Sequence, residues 1–223
     1  MKAVSLLSGG LDSVVATWLA ARDMEIVLAI TCDYGQRAAA PEILAASQVA
    51  AALGVPHQVV PLPWMAEIAS GALTDRAQAL PKPSAAELSG EAAEHSAAAV
   101  WVPNRNGLLL NVAAVYAEVM GAGAIICGFN AEEGATFPDN TPEFATAAEH
   151  FFSYSTRHGC RVVSPTMEMT KAEIVQAGRD AGTPLDLTWS CYEAGPAPCG
   201  VCESCMRQQR ALAEAAPGPN SVP

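Results

Sequence analysis

The stretch that decides the fold is "SGGLDS", Ser8 to Ser13, which directly follows the apolar run "KAVSLL" at residues 2–7. That run is typical of a buried strand, and the following "LDSVVATWLAARD" has apolar residues at helical spacing. A strand, a glycine turn and a helix N-terminus together place unpaired backbone N–H groups around a small space. Gly9 and Gly10 permit close approach, and the serines add hydroxyl donors. The stretch therefore predicts a phosphate-binding loop.

Two common nucleotide-binding motifs can be excluded as alternatives to this loop. The chain has no G-x-x-x-x-G-K-[ST], and "GAGAIICG" from Gly121 precedes a strand, so neither common nucleotide fingerprint is present. Asp12 would repel phosphate unless it caps the helix or holds a metal ion. An ordinary capped strand-to-helix turn remains an alternative when the loop is taken by itself.

Strands and helices alternate along the rest of the chain. Strands are predicted at 26–31, 57–63, 124–129 and 160–165, and helices at 41–53, 106–123, 143–159 and 169–182. Gly54 should end the first of these helices, while Thr170 and Glu173 form a capping box at the start of the last. This order predicts an α/β fold, a parallel sheet with helices on both faces.

The predicted domain organisation follows from breaks in this alternation. Residues 1–185 form the α/β domain, and residues 64–99, rich in Pro, Ala, Ser and Glu, form an insertion or mobile loop within it. Residues 186–215 form a small cysteine-rich lobe, and residues 216–223 a tail.

Composition limits the function classes. The 223 residues are 51% hydrophobic, enough for a substantial core, and carry a formal net charge of −11. That charge argues against nucleic acid as a partner. No apolar run has the length of a membrane span, and "SGGLDS" interrupts the apolar N-terminus where a signal peptide would continue. We therefore expect a cytoplasmic protein with no membrane contact.

Four cysteines crowd the C-terminal segment in the pattern C-x7-C-x2-C-x2-C. Four thiolates in one short segment, with Gly and Pro between them, indicate a tetrahedral structural zinc site, with buried thiols or two disulfides as the alternative. The predicted ligands are Cys191, Cys199, Cys202 and Cys205. We interpret Cys32, Cys127 and Cys160 as core residues. The four histidines, His57, His95, His150 and His158, share no ligand spacing.

Further motifs carry a family resemblance. They are "CDYGQR" (32–37), "VPNRN" (102–106), "GFNAEE" (128–133), "PEF" (142–144), "MTKAEIV" and "TWSCYEAGPAPCGVCESC". With "SGGLDS" they make the chain, from Lys2 to about Arg210, resemble the 7-cyano-7-deazaguanine synthase (QueC) family of the PP-loop ATP pyrophosphatases. The resemblance implies a Rossmann-like fold of the adenine nucleotide alpha hydrolase type, Mg2+ bound with ATP, and the structural zinc.

The resemblance also implies roles for individual residues. The implied ATP-binding residues are Ser8, Gly9, Gly10, Leu11, Asp12, Ser13, Asp33 and Tyr34. The implied substrate-binding residues are Gln36, Arg37, Asn104, Arg105, Asn106, Asn130 and Glu132. Asp12, Arg37 and Arg105 are the implied catalytic residues. Lys171 could neutralise phosphate or simply begin a capped helix, and both interpretations stay open.

The implied reaction is the ATP-dependent conversion of 7-carboxy-7-deazaguanine and ammonia to 7-cyano-7-deazaguanine through an adenylated acid and an adenylated amide. A homodimer is compatible with it. The loop "EGATFPDNTPEF" departs from the family's commoner form, which has an arginine there. This departure leaves open a ligase that passes the activated deazaguanine to another amine or a protein N-terminus. Two further alternatives are a tRNA-modifying PP-loop enzyme, which would share "SGGLDS", and a zinc-bearing interaction module, which would need only the cysteines.

Overall fold

The computed structural model describes residues 1–69 and 71–215. Within them five parallel strands form one sheet in the order β3-β2-β1-β4-β5. The strands are β1 (Lys2–Leu6), β2 (Glu25–Asp33), β3 (His57–Pro61), β4 (Ala124–Ile126) and β5 (Arg161–Val163). All four predicted strand regions after β1 contain a strand, so the parallel sheet is confirmed.

The α-helices of the described residues lie between and after these strands. They are α1 (Leu11–Ala20), α2 (Ala39–Leu53), α3 (Trp64–Ile68), α4 (Gly90–Val100), α5 (Arg105–Met120), α6 (Ala131–Gly134), α7 (Pro142–Ser155), α8 (Lys171–Asp180) and α9 (Glu203–Glu214). Short 3-10 turns occur at Ala85–Glu87, Pro138–Asn140 and Leu185–Leu187. Gly54 ends α2 in the left-handed conformation, and the capping box of Thr170 and Glu173 begins α8, as predicted.

Both faces of the sheet are covered by helices. On one face Val4 and Ile125 pack in a cluster with Leu110 of α5 and Phe152 of α7. On the other face the adjacent strand residues, such as Ala3 of β1, pack against α1. Successive residues of a strand point to opposite faces, so a strand buried on both sides reads as a continuous apolar run. This is why the strands were visible in the sequence.

The described residues of the 64–99 segment include regular secondary structure. The segment contains α3, a 3-10 turn and α4, and α4 buries Ala93, Ala97 and Val100 on one face. These positions have helical spacing, but small alanines give a weak apolar signal among the other alanines of the segment. Val100 joins a cluster with Tyr34, so the segment covers the end of β2.

The C-terminal segment shares a core with the rest of the chain. Ala211 of α9 packs with Leu11 and Val15 of α1 and with Ile174 of α8. The predicted boundary at residue 185 stays a prediction, and the predicted tail, 216–223, lies outside the described residues. A membrane-crossing helix, judged by length and apolar character, is not found in the described part of the chain.

Candidate active site

A cavity lies at the carboxyl edge of the sheet, where open parallel sheets bind ligands. β2 and β4 flank β1 on opposite sides, so the strand order reverses at this point, and residues at the ends of all three strands line the cavity. Its walls include residues of α5, α8 and the segment before the cysteine cluster. The predicted site residues in its lining are Ser8, Gly10, Leu11, Asp12, Ser13, Tyr34, Gln36, Arg105 and Asn106.

The loop between β1 and α1 holds its hydroxyl groups together. Ser8 Oγ lies 2.9 Å from Ser13 Oγ. The Ser8 N–H donates to Ser13 Oγ over 3.2 Å, and the Gly10 N–H donates to Ser8 Oγ over 3.3 Å. Both hydroxyls therefore sit beside the N-terminus of α1, where N–H groups and the helix dipole favour an anion.

Two glycines make the close packing around this loop feasible. Gly9 has φ of +82°, and a Cβ there would lie 2.4 Å from the Glu42 carbonyl oxygen. A Cβ on Gly128, which follows β4, would lie 2.4 Å from the backbone nitrogen of Ser13. Contacts this short do not occur, so any larger residue at either position would displace the loop or its neighbour.

The residues before the cysteine cluster brace the loop from the other side. The Trp189 N–H donates to the Gly9 carbonyl over 2.9 Å. The Leu11 N–H donates to Ser190 Oγ over 3.3 Å. The C-terminal segment therefore supports the loop through two hydrogen bonds.

Lys171 joins two carboxylates at the cavity wall. Its Nζ lies 2.6 Å from Asp12 Oδ2 and 2.9 Å from Glu133 Oε1. Burial raises the pKa of Asp12, although Lys171 acts in the opposite direction. Burial also opposes the charge on Lys171, but attraction to the two carboxylates outweighs it and raises the lysine pKa. A permanent cation is thus held beside the loop.

Glu133 is kept ionised by the same lysine. Burial by itself would raise its pKa, but attraction and hydrogen bonding to Lys171 outweigh burial and lower it. Lys171 therefore lies at the cavity wall and also begins the capped helix α8, so its position is compatible with both interpretations.

The residues around Asp12 fit a magnesium ion. Asp12 Oδ1 is buried and has no hydrogen-bond partner within the described chain. An unsatisfied buried carboxylate oxygen is costly, and coordination to a cation removes that cost. Mg2+ in nucleotide sites takes one or two carboxylate ligands together with phosphate oxygens. Asp12 offers such an oxygen next to the phosphate loop.

Arg105 begins α5 and faces the cavity beside an aromatic ring. Its guanidinium carbon lies 5.9 Å from the Tyr34 ring centroid, and Nη1 donates to the Tyr34 hydroxyl over 3.4 Å. Its neighbour Asn106 donates through its side-chain nitrogen to the Asp139 carbonyl over 3.0 Å, and through its backbone N–H to Asp139 Oδ2 over 3.3 Å. These contacts place the start of α5 against the divergent loop.

A second carboxylate, Glu42, lines the cavity near the end of β2. Gln36 accepts from the Tyr34 N–H through Oε1 and donates through Nε2 to Glu42 Oε2 over 2.8 Å. Burial raises the pKa of Glu42 to about 7, against which the Gln36 bond acts. Asp33 lies at the end of the same strand, outside the lining, and accepts from the Gly35 N–H over 3.0 Å.

Arg37, a predicted catalytic residue, makes its described contacts away from the cavity. Its side chain lies outside the cavity lining and is used elsewhere. Nη2 donates to the carbonyls of Asp75 (2.9 Å) and Gln78, and Nη1 lies 3.1 Å from Glu193 Oε1. Arg37 therefore ties the β2 loop to the insertion and to the C-terminal segment, which is a positioning role.

Three predicted substrate contacts also lie outside the lining. Glu132 accepts from the Lys171 backbone N–H over 2.8 Å and pairs with Arg210 of α9, so it joins two helices. Asn130 caps α6 by accepting from the Glu133 N–H over 3.0 Å. Asn104 occupies the N-cap position of α5 in the left-handed conformation, with φ of 53°, and its side chain makes no capping hydrogen bond. The contacts of Glu132 and Asn130 are structural, and the substrate role of all three stays a prediction.

Sequence reasoning missed four ionisable or aromatic features of the site. Glu133, Glu42 and Asp139 all line the cavity, and Trp101 and Phe137 stack there with ring centroids 6.0 Å apart. Glu133 lies in the motif "GFNAEE" and Asp139 in the loop "EGATFPDNTPEF", so the sequence motifs could have identified both. Glu42 offered none, because it lies in an alanine-rich helix without a motif of its own.

The four predicted metal ligands come together. The Sγ atoms of Cys191, Cys199, Cys202 and Cys205 all lie within 4.8 Å of one another. Tetrahedral zinc with bonds of about 2.3 Å requires sulfur atoms about 3.8 Å apart, and the Cys191 and Cys202 sulfurs are separated by 4.0 Å. All seven cysteines are free thiols, and backbone N–H groups of Glu193 and Cys199 donate to Cys191 Sγ. The cluster could hold a metal ion, and its ligands are those of structural zinc sites.

Comparisons with known proteins agree with these features. A curated 7-cyano-7-deazaguanine synthase of Desulforudis audaxviator is 52% identical over 212 residues, covering 95% of this chain and 96% of that protein. One from Methanosarcina mazei is 46% identical over 216 residues, with 95% and 94% covered. A solved 4-thiouridine synthetase–RNA complex with bound ATP has 19% identity, a TM-score of 0.49 and coverage of 96% of this chain and 50% of that chain, a likeness too weak for argument.

The family model described as queuosine biosynthesis protein QueC matches residues 2–216. This match spans the phosphate loop, the motifs around the cavity and the four cysteines, and it confirms the resemblance inferred from them. The chain therefore belongs to the QueC family.

Proposed function

We propose that this protein is a 7-cyano-7-deazaguanine synthase, which converts 7-carboxy-7-deazaguanine and ammonia to the nitrile at the expense of two ATP. The substrate carboxylate attacks the α-phosphorus of ATP and releases pyrophosphate. Ammonia displaces AMP and gives the amide. The amide oxygen is adenylated by a second ATP, and loss of AMP leaves the nitrile. Full-length similarity to relatives of that name supports this assignment.

The observation that carries the proposal is the contact of Lys171 with Asp12 beside the "SGGLDS" loop. A fixed cation, the α1 N-terminus and the hydroxyls of Ser8 and Ser13 neutralise phosphate charge as it develops. Asp12 would hold Mg2+ through its unpartnered Oδ1, and the ion would supply further charge neutralisation. The chain's main contribution is orientation and electrostatic stabilisation.

The opposite wall fits an acidic aromatic substrate. Arg105 presents a planar cation suited to a carboxylate, and the ring of Tyr34 supports it. The stacked Trp101 and Phe137 offer flat apolar surface for a bicyclic base. Asp139 holds Asn106 and so fixes the start of the helix that carries Arg105.

The four cysteines would hold zinc in a structural role. With all four positions taken by thiolates, the ion would have no open site for water and would add no chemistry of its own. It would fix the segment that supplies Trp189 and Ser190 to the phosphate loop. Zinc would therefore affect catalysis only by holding this segment in place against the loop.

The remaining partners follow from the same proposal. In this proposal free ammonia is the nitrogen donor, nucleic acid takes no part, the protein acts in the cytoplasm, and a homodimer is compatible with its activity. The formal net charge of −11 supports the exclusion of nucleic acid, because phosphate backbones are bound by basic surfaces. Both catalytic stages would use one cavity.

Mass spectrometry of the reaction products tests this function. Purified protein is incubated with 7-carboxy-7-deazaguanine, ATP, Mg2+ and ammonium, and the base and nucleotide products are followed together. The proposal expects the nitrile, with about two AMP formed for each nitrile. Accumulation of the amide without nitrile, or turnover only with a protein acceptor, would contradict it and favour a ligase.

A further inference from the structure

The proposed reaction has a proton requirement that the residues assigned so far do not meet. Ammonium carries four N–H bonds and a nitrile carries none, so four protons leave the nitrogen during each turnover. Two are lost when the amide forms, one when the amide is adenylated and one when the nitrile forms. No group is oxidised or reduced. A proton acceptor that faces the cavity would assist these steps.

Most titratable groups in the cavity are unsuited to this role. Asp12 and Glu133 are paired with Lys171. Asp139 accepts hydrogen bonds on both oxygens, from Asn106 and Asn140. Burial raises the pKa of the thiols of Cys32 and Cys127 to about 12, and it also raises that of Tyr34, so these groups keep their protons. The four histidines do not line the cavity of the described chain.

Glu42 has the geometry that these groups lack. Its Oε2 is fixed by Gln36 Nε2, which must donate because Gln36 Oε1 is occupied by the Tyr34 N–H. Its Oε1 has no hydrogen bond from any described residue, and the side chain lines the cavity. A Cβ on Gly9 would lie 2.4 Å from the Glu42 carbonyl oxygen, so the start of α2 packs closely against the loop, and Glu42 lines the same cavity as Ser8 and Ser13.

The surroundings of Glu42 poise it for proton exchange near neutral pH. Burial raises its pKa to about 7, Gln36 and Arg105 lower it, and Asp33 raises it further. Tyr34 and Cys32 are the other titratable groups nearby, and both stay neutral. A general base is most effective when its pKa lies near the working pH.

We propose that Glu42 is the general base of the nitrogen steps. Its carboxylate takes one proton from ammonium, the ammonia formed attacks the acyl carbon, and a second proton leaves the nitrogen as the bond from that carbon to the AMP oxygen breaks. In the second stage the amide nitrogen loses one proton when the amide oxygen is adenylated. The last proton leaves as the N–H electron pair forms the third carbon–nitrogen bond and the bond from carbon to the AMP oxygen breaks. Each proton passes from Glu42 to water before the next transfer. The proposal rests on the proposed synthase function.

The variant Glu42→Gln separates proton transfer from adenylation. Exchange of labelled pyrophosphate into ATP in the presence of the substrate acid measures the first adenylation, which involves no nitrogen. Formation of amide and nitrile at saturating ammonium measures the nitrogen steps. We expect exchange within about threefold of wild type and nitrogen incorporation slower by about 10²–10³-fold. Equal loss of both activities would assign Glu42 to nucleotide or acid binding and overturn the proposal, as would unchanged nitrile formation.

Hydroxylamine provides a control that distinguishes a loss of proton transfer from a general loss of activity in the variant. It is largely unprotonated at neutral pH and needs no base to become a nucleophile, whereas ammonia is largely protonated there. The variant should form the hydroxamate at nearly the wild-type rate. A hydroxamate rate reduced as much as the amide rate would contradict the role of Glu42. If the wild type itself forms no nitrile, the synthase function fails instead.

Discussion

Lys171 Nζ lies 2.6 Å from Asp12 Oδ2, and this contact joins the first residue of α8 to the first turn of α1. Two helix N-termini, each with partial positive charge, thus converge on one cavity. The lysine reaches inward because the capping box of Thr170 and Glu173 fixes the start of α8. The sequence places the two residues far apart, and only the parallel sheet brings them together.

Replacement of Lys171 by methionine should abolish most adenylation. The variant loses the cation that faces the phosphates and leaves Asp12 and Glu133 as buried carboxylates without a partner. We expect pyrophosphate exchange to fall by about 10²–10³-fold and unfolding free energy near neutral pH by about 3 kcal/mol. The exposed Lys82→Met variant is the matched control and should change neither. Normal exchange in Lys171→Met would remove the lysine from the mechanism.

Substitution of Arg105 should mainly reduce activity, whereas substitution of Arg37 should mainly reduce stability. Arg105→Gln removes a cation from the cavity and should slow acid-dependent exchange by about 100-fold. Arg37→Gln loses bonds to Asp75, Gln78 and Glu193, so it should lower unfolding free energy by about 2–4 kcal/mol, with exchange reduced by less than about fivefold. Exchange assays and urea denaturation measure the two effects. A folded but inactive Arg37→Gln would restore its predicted catalytic role.

The cysteine cluster should bind zinc and carry the fold of its segment. In Cys202→Ser the zinc content should fall from about one ion per chain to near zero, with a lower thermal midpoint. Cys160→Ala, which changes a buried cysteine outside the cluster, should keep its zinc. Elemental analysis with thermal denaturation makes the comparison. Full zinc content in Cys202→Ser would show that the ion binds elsewhere.

Stability should depend on pH through Glu42. Its pKa is raised to about 7 by burial, so the folded state holds this proton more tightly than the unfolded state. That contribution is fully present below the ordinary carboxyl pKa and is lost as pH rises through about 7. Relative to wild type, Glu42→Gln should therefore gain about 1–3 kcal/mol between pH 5 and pH 8. Denaturation curves at both pH values measure it, and a constant difference would mean that Glu42 is well solvated.

The sequence was sufficient for features that depend on local pattern. Strands buried on both faces appear as apolar runs, Gly54 marks the end of α2, and the cysteine spacing identifies the four thiols that come together. The phosphate loop was recognisable because a strand, glycines and a helix start follow one another. These are properties that short-range spacing determines.

The sequence was insufficient where orientation decides function. Glu132 and Glu133 are adjacent on α6, but Glu132 pairs with Arg210 of α9 whereas Glu133 pairs with the Lys171 ammonium at the cavity, and spacing alone does not separate them. Arg37 stands in a motif beside the site, yet its side chain turns away to bind backbone carbonyls. The helix α4 was missed because its buried face consists largely of alanine.

Oxygen labelling tests the central claim most directly. With 7-carboxy-7-deazaguanine labelled by 18O at both carboxylate oxygens, two adenylations at this one cavity should transfer the first oxygen to AMP when the amide forms and the second when the nitrile forms. The account predicts that each AMP carries a single 18O and that the nitrile carries none. AMP without label, or label released into water, would mean that the acid and the amide are not activated by adenylation, and would contradict the account.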